Sequence, residues 1–284
     1  MICPFVTGAN GFIGRHLVAT LTAQGFPCRT HDSRDGDIAE ATLDLSGCTH
    51  VIHLAGKAFV PDSWTTPGDF YRVNVQGTAN VLEQCRRHQL PVTLISSYVY
   101  GQPRQLPIPE DHPLDPLNPY AHSKILAEEL AASYRRFFGL VVTVVRPFNV
   151  YGPGQNSRYL IPLLIRQALD KGTHFFDVAD ARPRRDYLFV TDLVSLLCKT
   201  IHAAKPVTVN AGSGASFSAQ DIVEILNQEA PAPKTLRSRE ERRPSEVIDV
   251  VADISRARSE FGWEPTVSFR DGLRRTLQFY ASLL

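Results

Sequence analysis

The sequence predicts a doubly wound α/β fold, in which helices cover both faces of a parallel β-sheet. Short apolar runs rich in β-branched residues alternate along the chain with longer amphipathic stretches, as in βαβ units. A chain of 284 residues, 43% of them hydrophobic, is long enough for one large domain or two modest ones. We predict strands at 2–6, 27–31, 50–54, 91–95, 141–146 and 207–210, and helices at 13–24, 69–88, 120–138, 158–171, 191–203, 218–229, 254–261 and 269–282.

Composition narrows the class of partner. A net charge of +1 gives no reason to expect nucleic acid or an anionic membrane as the main partner. No apolar run approaches the about 20 residues that span a bilayer, and residues 1–25 have the pattern of strand, loop and helix instead of a secretion signal. Scattered cysteines without a CxxC pair favour reduced thiols over disulfides or a zinc site: Cys3, Cys28, Cys48, Cys85 and Cys198. We therefore expect a cytoplasmic protein without a metal that acts on a small molecule.

A glycine-rich turn follows the first predicted strand and opens the first predicted helix. Three glycines here let the backbone turn tightly and come close to a pyrophosphate. The helix N-terminus adds unpaired N–H groups and a partial positive charge for the anion. This context predicts a dinucleotide site on a Rossmann-type sheet, with contacts from Gly8, Asn10, Gly11, Phe12, Ile13 and Gly14.

The ends of the second and third predicted strands extend this site. Asp32 ends the second strand, where a carboxylate can accept hydrogen bonds from both hydroxyls of an adenosine ribose, which favours NAD. Arg34 could instead bind a 2′-phosphate, so NADP stays open. Asp37 and Ile38 could flank the adenine or form a solvated loop. The third strand ends in Leu54-Ala55-Gly56, whose small residues would let the cofactor pass closely.

Tyr120 and Lys124 are four positions apart at the start of the predicted helix 120–138, so they project from the same face. An ammonium group there would lower the tyrosine pKa from about 10 toward neutrality. Such a tyrosine can exchange a proton with a sugar or alcohol oxygen while a hydride moves at carbon. Ser96 and Ser97 follow the fourth predicted strand, where ligands of doubly wound folds bind. They could hold the reacting oxygen beside Tyr120 or only cap a loop.

Together these motifs resemble the extended short-chain dehydrogenase/reductase family, whose epimerases, dehydratases and reductases act on nucleotide sugars. The resemblance covers almost the whole chain, in the order TGANGFIG, VIHLAG, VNVQGT, SSYVYG, PYAHSK, RPFNVYGP, RDYLFVTD, RPSEV and FGWEP. It implies that Asn74 and Pro147 contact the cofactor. It also implies a homodimer formed through the helices 69–88 and 120–138.

The resemblance assigns roles to the central residues. Tyr120 would be the acid and base, while Lys124 would lower its pKa and hold the nicotinamide ribose. One serine would orient the substrate oxygen; counting from Val99 gives Ser96, and counting from the strand gives Ser97.

The resemblance also supplies the substrate ligands. Asn149, Arg185 and Arg243 match positions that hold the diphosphate and nearby groups, and an arginine fork suits phosphate. Glu246 could accept a hydrogen bond from the nucleotide ribose. For Arg185 the alternative is a structural ion pair with Asp186.

Domain boundaries follow from the same pattern. The cofactor half should end near residue 150, and a strand–helix pair at 187–210 should return to the sheet. We therefore expect an NAD(P)-binding domain at 1–150 plus 187–210, and a smaller, discontinuous α/β substrate domain at 151–186 plus 211–284.

Three activities compete. Dehydratases of this family carry an Asp-Glu pair just after the serine or threonine, whereas no carboxylate lies between Ser96 and Gly101, so dehydration is rejected. Reduction of a nucleotide-diphosphate (NDP) 4-keto-6-deoxyhexose is favoured over 4-epimerisation with tightly bound NAD. A non-catalytic dinucleotide-binding sensor is the alternative from another class, although it would not need serine, tyrosine and lysine together.

Overall fold

The large sheet consists of six parallel strands in the order β2-β1-β3-β4-β5-β9. The computed structural model describes residues 2–229, 232–241 and 246–284. The strands of this sheet are β1 Pro4–Thr7, β2 Arg29–His31, β3 His50–His53, β4 Val92–Ile95, β5 Val142–Pro147 and β9 Val207–Ala211. All six coincide with predicted strands, and helices flank them, which confirms the doubly wound parallel fold.

The predicted helices also form, with small shifts at their ends. The chain adds a short unpredicted helix, α2, and the predicted helix 69–88 is composite, since α3 continues through a π-helical segment at Tyr71–Gln76 into α4. Across the described ranges no helix is long and apolar enough to cross a membrane. The helices are α1 Phe12–Ala23, α2 Val60–Thr65, α3 Pro67–Phe70, α4 Gly77–His88, α5 Pro119–Phe138, α6 Leu160–Leu169, α7 Val190–Thr200, α8 Ala219–Glu229, α9 Ser255–Phe261 and α10 Phe269–Ala281.

The strand order creates a crevice beside the first strand. From β1 the chain moves to β2 on one side and then to β3 on the other, so β1 and β3 are neighbours, with Thr7 in register with His53. A reversal of strand order of this kind leaves an opening at the carboxyl ends of the two strands. We call this opening the cofactor crevice; the glycine turn and the segment Leu54-Ala55-Gly56 follow directly from its two strands.

Among the described residues, five short strands lie outside the large sheet, and the sequence analysis expected a strand for one of them, near residue 187. Their lengths of three to six residues gave no clear alternation: β6 Asn149–Tyr151, β7 Phe175–Val178, β8 Arg184–Phe189, β10 Ser216–Ser218 and β11 Thr235–Ser238. Strands β10, β8 and β6 form one small sheet, and β11 pairs with β7 in another. The expected return of a strand at 187 to the large sheet is therefore wrong, although α7 and β9 do return there. The domain boundaries stay a prediction.

Trp263 packs the C-terminal segment against the core beside the large sheet. Its ring is 1% exposed in a core cluster built from β1, α1, α7 and β9. Its indole Nε1 donates to the carbonyl of Asp192 at 3.0 Å and to Ser195 Oγ at 2.9 Å. The Asp192 carboxylate accepts from the backbone N–H of Thr266 at 3.0 Å. These contacts join the RDYLFVTD and FGWEP motifs in space.

We predict that Trp263→Ala lowers the free energy of unfolding by about 3–5 kcal/mol, because it empties a packed site and leaves polar partners unpaired. Trp64 is 61% exposed, so Trp64→Ala is the matched control and should change the free energy by no more than about 0.5 kcal/mol. Urea unfolding followed by far-UV circular dichroism measures both. Similar losses in the two variants would contradict this account of the core.

Candidate active site

The glycine turn is fixed by close backbone contacts. Gly8 has a φ of +68°, and a Cβ there would lie 2.7 Å from the backbone nitrogen of Ala55. A Cβ on Gly14 would collide with the carbonyl of Gly8 and lie 2.7 Å from that of Ala9. Helix α1 starts after Gly11, whose position supplies no side-chain cap. Helix α1 begins directly after the glycine turn, so its first N–H groups lie beside the cofactor crevice, where a pyrophosphate could bind.

Asp32 and Arg34 lie together at one end of this turn. The Asp32 carboxylate accepts a hydrogen bond from Asn10 and bonds from Arg34 N and Nε at 2.9 and 3.0 Å. The bonds from Arg34 lower the pKa of Asp32 to about 2, so the carboxylate is charged. This end of the crevice could hold ribose hydroxyls through Asp32 and a 2′-phosphate through Arg34, so the geometry fits either cofactor.

The turn at Asp37 and Ile38 is packed. Asp37 forms an ion pair with Arg72 and accepts from the N–H of Ala39 at 2.9 Å. The buried Ile38 side chain lies against the start of α4, where a Cβ on Gly77 would be 2.8 Å from Ile38 Cγ2. The solvated-loop alternative is therefore wrong for Ile38, and contact with an adenine stays a prediction.

Asn74 holds the loop after β3 against α5. It is buried in the π-helical segment, where its Oδ1 accepts from Lys57 N at 2.8 Å and its Nδ2 donates to Ser123 Oγ at 2.9 Å. A Cβ on Gly56 would lie 3.0 Å from Asn74 Oδ1 and 3.4 Å from the ammonium nitrogen of Lys124. The predicted passage beside Gly56 is thus directly next to Lys124.

Helix α5 begins where its sequence predicts. Asn118 caps it by accepting from the N–H of Ala121 at 2.8 Å, and Pro119 occupies the first helical position. Lys124 is 5% exposed, and its ammonium group donates to the carbonyl of Ile95 at the end of β4, at 3.0 Å. Burial lowers the pKa of Lys124 to about 8. The helix and the sheet therefore meet at this ammonium group.

The pKa of Tyr120 departs from the prediction. Burial around the hydroxyl raises its pKa, and a hydrogen bond with Ser97 opposes the rise. The Lys124 ammonium bonds Ile95 instead. The expected lowering of the Tyr120 pKa toward neutrality is therefore wrong for the protein alone, since the loss of water outweighs the effect of Ser97.

The structure distinguishes the two serines. Ser97 lies next to the Tyr120 hydroxyl and opposes the rise of its pKa, whereas the buried hydroxyl of Ser96 has no hydrogen-bond partner among the described residues. Ser97 is the serine obtained by counting from the strand. Pro147 lies at the end of the neighbouring strand β5.

Arg185 and Glu246 form a mostly buried ion pair, and Arg185 also donates to the carbonyl of Val247 at 2.7 Å. The Asp186 carboxylate accepts instead from backbone N–H groups, among them that of Ala252 at 3.0 Å. The alternative ion pair between Arg185 and Asp186 is therefore wrong.

Asn149 lies between these groups and the serines. Its Oδ1 accepts from the hydroxyl of Tyr98 at 3.4 Å, and Tyr98 stacks on Phe148 with ring centroids 5.1 Å apart. Arg243, predicted to bind the diphosphate, lies outside the described residues. Asn149 Nδ2 also donates to the carbonyl of Asp186 at 3.3 Å, so Asn149 links Tyr98 to the strand that carries Arg185.

Tyr159 is a residue that the sequence analysis missed. It is among the groups that influence the pKa of Tyr120, and its ring packs edge-to-face on Phe59 at 5.3 Å. The guanidinium of Arg158 lies 3.9 Å from the centroid of Phe59 and donates to both carboxylate oxygens of Asp62 at 3.0 and 3.1 Å. No sequence signal marks this loop before α6, because the contacts join segments almost a hundred residues apart.

No group of three or more histidine, cysteine, aspartate or glutamate residues in the described ranges is placed to hold a metal ion. The polar groups at the cofactor crevice are the phenol of Tyr120, the hydroxyls of Ser96 and Ser97, and the ammonium group of Lys124.

Comparisons with known proteins agree with this geometry. A family model described as GDP-mannose 4,6 dehydratase matches residues 26–276. GDP-6-deoxy-D-mannose reductase from Pseudomonas aeruginosa is 31% identical, over 98% of this chain and 97% of the relative. UDP-glucose 4-epimerase from Azospirillum brasilense is also 31% identical, over 95% of this chain and 89% of the relative.

Two solved structures share the fold along the whole chain. RMD from Pseudomonas aeruginosa, complexed with NADPH, has a TM-score of 0.91 at 30% identity and covers 100% of both chains. TunA, described as an NAD-dependent NDP-hexosamine 5,6-dehydratase involved in tunicamycin biosynthesis, has a TM-score of 0.90 at 33% identity, with 99% of this chain and 98% of that chain covered. These proteins differ in reaction but share one architecture. The chain belongs to the GDP-mannose 4,6-dehydratase family, within the nucleotide-sugar-modifying branch of the extended short-chain dehydrogenases/reductases.

Proposed function

We propose that the protein is an NAD(P)-dependent oxidoreductase that acts at C4 of a nucleotide-diphosphate sugar, specifically as an NDP-4-keto-6-deoxyhexose 4-reductase. The observation that carries this proposal is that Ser97, at the carboxyl edge of the sheet, lies next to the Tyr120 hydroxyl. Lys124, one turn further along the same helix, lies beside Gly56 at the cofactor crevice.

Each residue of the site has its own role in the proposed reaction. When bound, the nicotinamide supplies the hydride. The glycine turn holds the pyrophosphate, Asp32 and Arg34 hold the adenosine end, and Lys124 lies where a nicotinamide ribose would be held. Ser97 orients the sugar C4 oxygen, and Tyr120 donates its proton to that oxygen as the carbon is reduced.

A protonated Tyr120 is the form that a reduction needs. Because burial disfavours the phenolate, the side chain is protonated near neutral pH in the protein alone. A ketone reductase needs a proton donor at this position.

The loop after Ser97 lacks the carboxylates that dehydration of a nucleotide sugar would use. Elimination of water needs an additional acid and base next to the serine, and the segment between Ser97 and Gly101 offers Tyr98, Val99 and Tyr100. Tyr98 stacks on Phe148, and Tyr100 is buried. The description of the matching family as a dehydratase therefore does not carry over to our proposal.

A 4-epimerase with tightly bound NAD is the second candidate. It is supported by the sequence identity to the Azospirillum epimerase, which at 31% equals the identity to the Pseudomonas reductase. A non-catalytic dinucleotide sensor would not need Ser97, Tyr120 and Lys124 in one place. From the family we further infer a cytoplasmic homodimer formed through 69–88 and 120–138.

Two further parts of the proposal concern the layout of the site. The cofactor domain would comprise 1–150 plus 187–210, and the substrate domain 151–186 plus 211–284. Asn149, Arg185, Arg243 and Glu246 would bind the nucleotide diphosphate. The pairing of Arg185 with Glu246 supports a shared location for these two.

We predict that Tyr120→Phe lowers kcat by about 10²–10⁴-fold, because the phenol is the proton donor. The dissociation constant of NADPH or NADH, measured by cofactor fluorescence, should stay within about twofold, since the missing hydroxyl would act on the sugar oxygen. Turnover is assayed with GDP- and dTDP-4-keto-6-deoxyhexoses. Near-normal turnover in the variant would show that another group is the acid.

The two serines provide a matched pair. Ser97→Ala should lower kcat by about 10- to 100-fold, since it removes a hydrogen bond to the reacting oxygen. Ser96→Ala, one residue away and pointing into the protein, should change kcat by less than about threefold. The same steady-state assay serves both variants, and a larger loss for Ser96→Ala would reverse the assignment.

A further inference from the structure

A buried ion pair lies one turn beyond Lys124 on helix α5. Tyr120, Lys124 and Glu128 recur at four-residue spacing and therefore share one helix face. Arg146 on β5 donates through Nε to the two Glu128 oxygens at 3.0 and 3.1 Å, and through a terminal nitrogen at 2.6 Å. Both residues are buried, so solvent screens this pair little.

Arg146 extends the pair into a network. Its other terminal nitrogen donates to the Tyr100 hydroxyl at 3.1 Å and to the carbonyl of Glu110 at 3.0 Å. Tyr100 in turn donates to Asn210 Oδ1 on β9. The network joins α5 to two strands and to the loop that follows the serines. It thus fixes the helix face that carries Tyr120 and Lys124.

Among the described groups around Lys124, the carboxylate of Glu128 is the negative charge that raises the Lys124 pKa. Burial lowers the pKa of Lys124, and the Glu128 charge opposes that lowering. On β3, burial lowers the pKa of His53 to about 3, so this ring is neutral. From β4 the Ile95 carbonyl accepts the ammonium hydrogen bond, and from the π-helical segment the uncharged Asn74 approaches Gly56. Tyr120, one turn back on α5, is a neutral phenol, and the Arg146 cation on β5 is held by Glu128.

We propose that Glu128, held by Arg146, is a positioning residue that keeps Lys124 in its ammonium form and thereby sets the upper pH limit of activity. This inference rests on the proposed function, since Lys124 must be charged to hold the cofactor ribose beside Tyr120.

The sign of the effect follows from the charges. Glu128→Gln removes the negative charge that favours the ammonium, and the uncompensated Arg146 cation adds repulsion. Both changes lower the Lys124 pKa below its value of about 8 in the unaltered protein. The ammonium then loses its proton at a lower pH than in the unaltered protein, so the alkaline loss of activity should also begin at a lower pH.

The test compares pH profiles of kcat/KM. The alkaline limb is the part of the profile in which kcat/KM falls as the pH rises. In Glu128→Gln this limb should shift to lower pH by about one unit. Glu128→Asp keeps the charge, so its limb should stay in place while kcat falls because the shorter side chain reaches less well. Glu129→Gln is the matched control, since it makes the same change on the exposed neighbouring residue and should leave the profile unchanged.

A second variant and a second readout keep the test decisive. Glu128→Leu with Arg146→Met removes both buried charges and so avoids an unpaired arginine, and it should show a limb shift of the same sign. Nuclear magnetic resonance of ¹³Cε-labelled lysine, with Lys124 assigned by Lys124→Met, follows the titration of Lys124 without any substrate.

The outcomes separate the two proposals. A lower Lys124 titration in Glu128→Gln, in a protein that reduces no keto sugar, would support this inference and sink the proposed function. A folded, active Glu128→Gln that binds cofactor and shows the wild-type limb and the wild-type Lys124 titration would overturn the inference. A uniform loss of activity at all pH values, with the limb unmoved, would show a purely structural role and would equally overturn it.

Discussion

The buried ammonium group of Lys124 is the constraint on which the site depends. Its hydrogen bond to the Ile95 carbonyl joins helix α5 to the end of β4, and it lies within reach of Gly56 at the end of β3. A charge in this position needs compensation, which the carbonyl and Glu128 supply. The same arrangement brings Tyr120, one turn earlier on the helix, to Ser97 on the loop after β4. One buried charge thus fixes the relative positions of helix, sheet and reacting groups.

Much of the fold follows from the sequence because the central strands are buried on both faces and form short, continuous apolar runs. Small strands such as Ser216–Ser218 escaped prediction because polar residues interrupt their apolar pattern and tertiary contacts decide their pairing. At the site, four-residue spacing correctly placed Tyr120 and Lys124 on one helix. Spacing does not reveal which acceptor a charge will choose, so the sign of the Tyr120 pKa shift was wrong. The contact of Tyr159 depends on loop packing and left no signal in the sequence.

The relatives show that one scaffold supports reduction, epimerisation and dehydration of nucleotide sugars. In this chain the glycine turn, Ser97, Tyr120 and Lys124 lie at the carboxyl edge of that scaffold. In this chain Tyr98 follows Ser97 where a dehydratase would place a carboxylate, and the environment of Tyr120 favours the protonated phenol. Function is therefore argued from these groups, because the fold alone does not decide among the reactions.

The most direct test of the central claim follows the hydride. The protein is incubated with an NDP-4-keto-6-deoxyhexose and reduced cofactor that carries deuterium at both C4 positions of the nicotinamide, and the product is analysed by nuclear magnetic resonance and mass spectrometry. A 4-reductase places one deuterium on sugar C4 for each cofactor oxidised. A product without deuterium at C4, or an NDP-hexose interconverted at C4 without consumption of added cofactor, would contradict the reductase and, in the latter case, establish the epimerase.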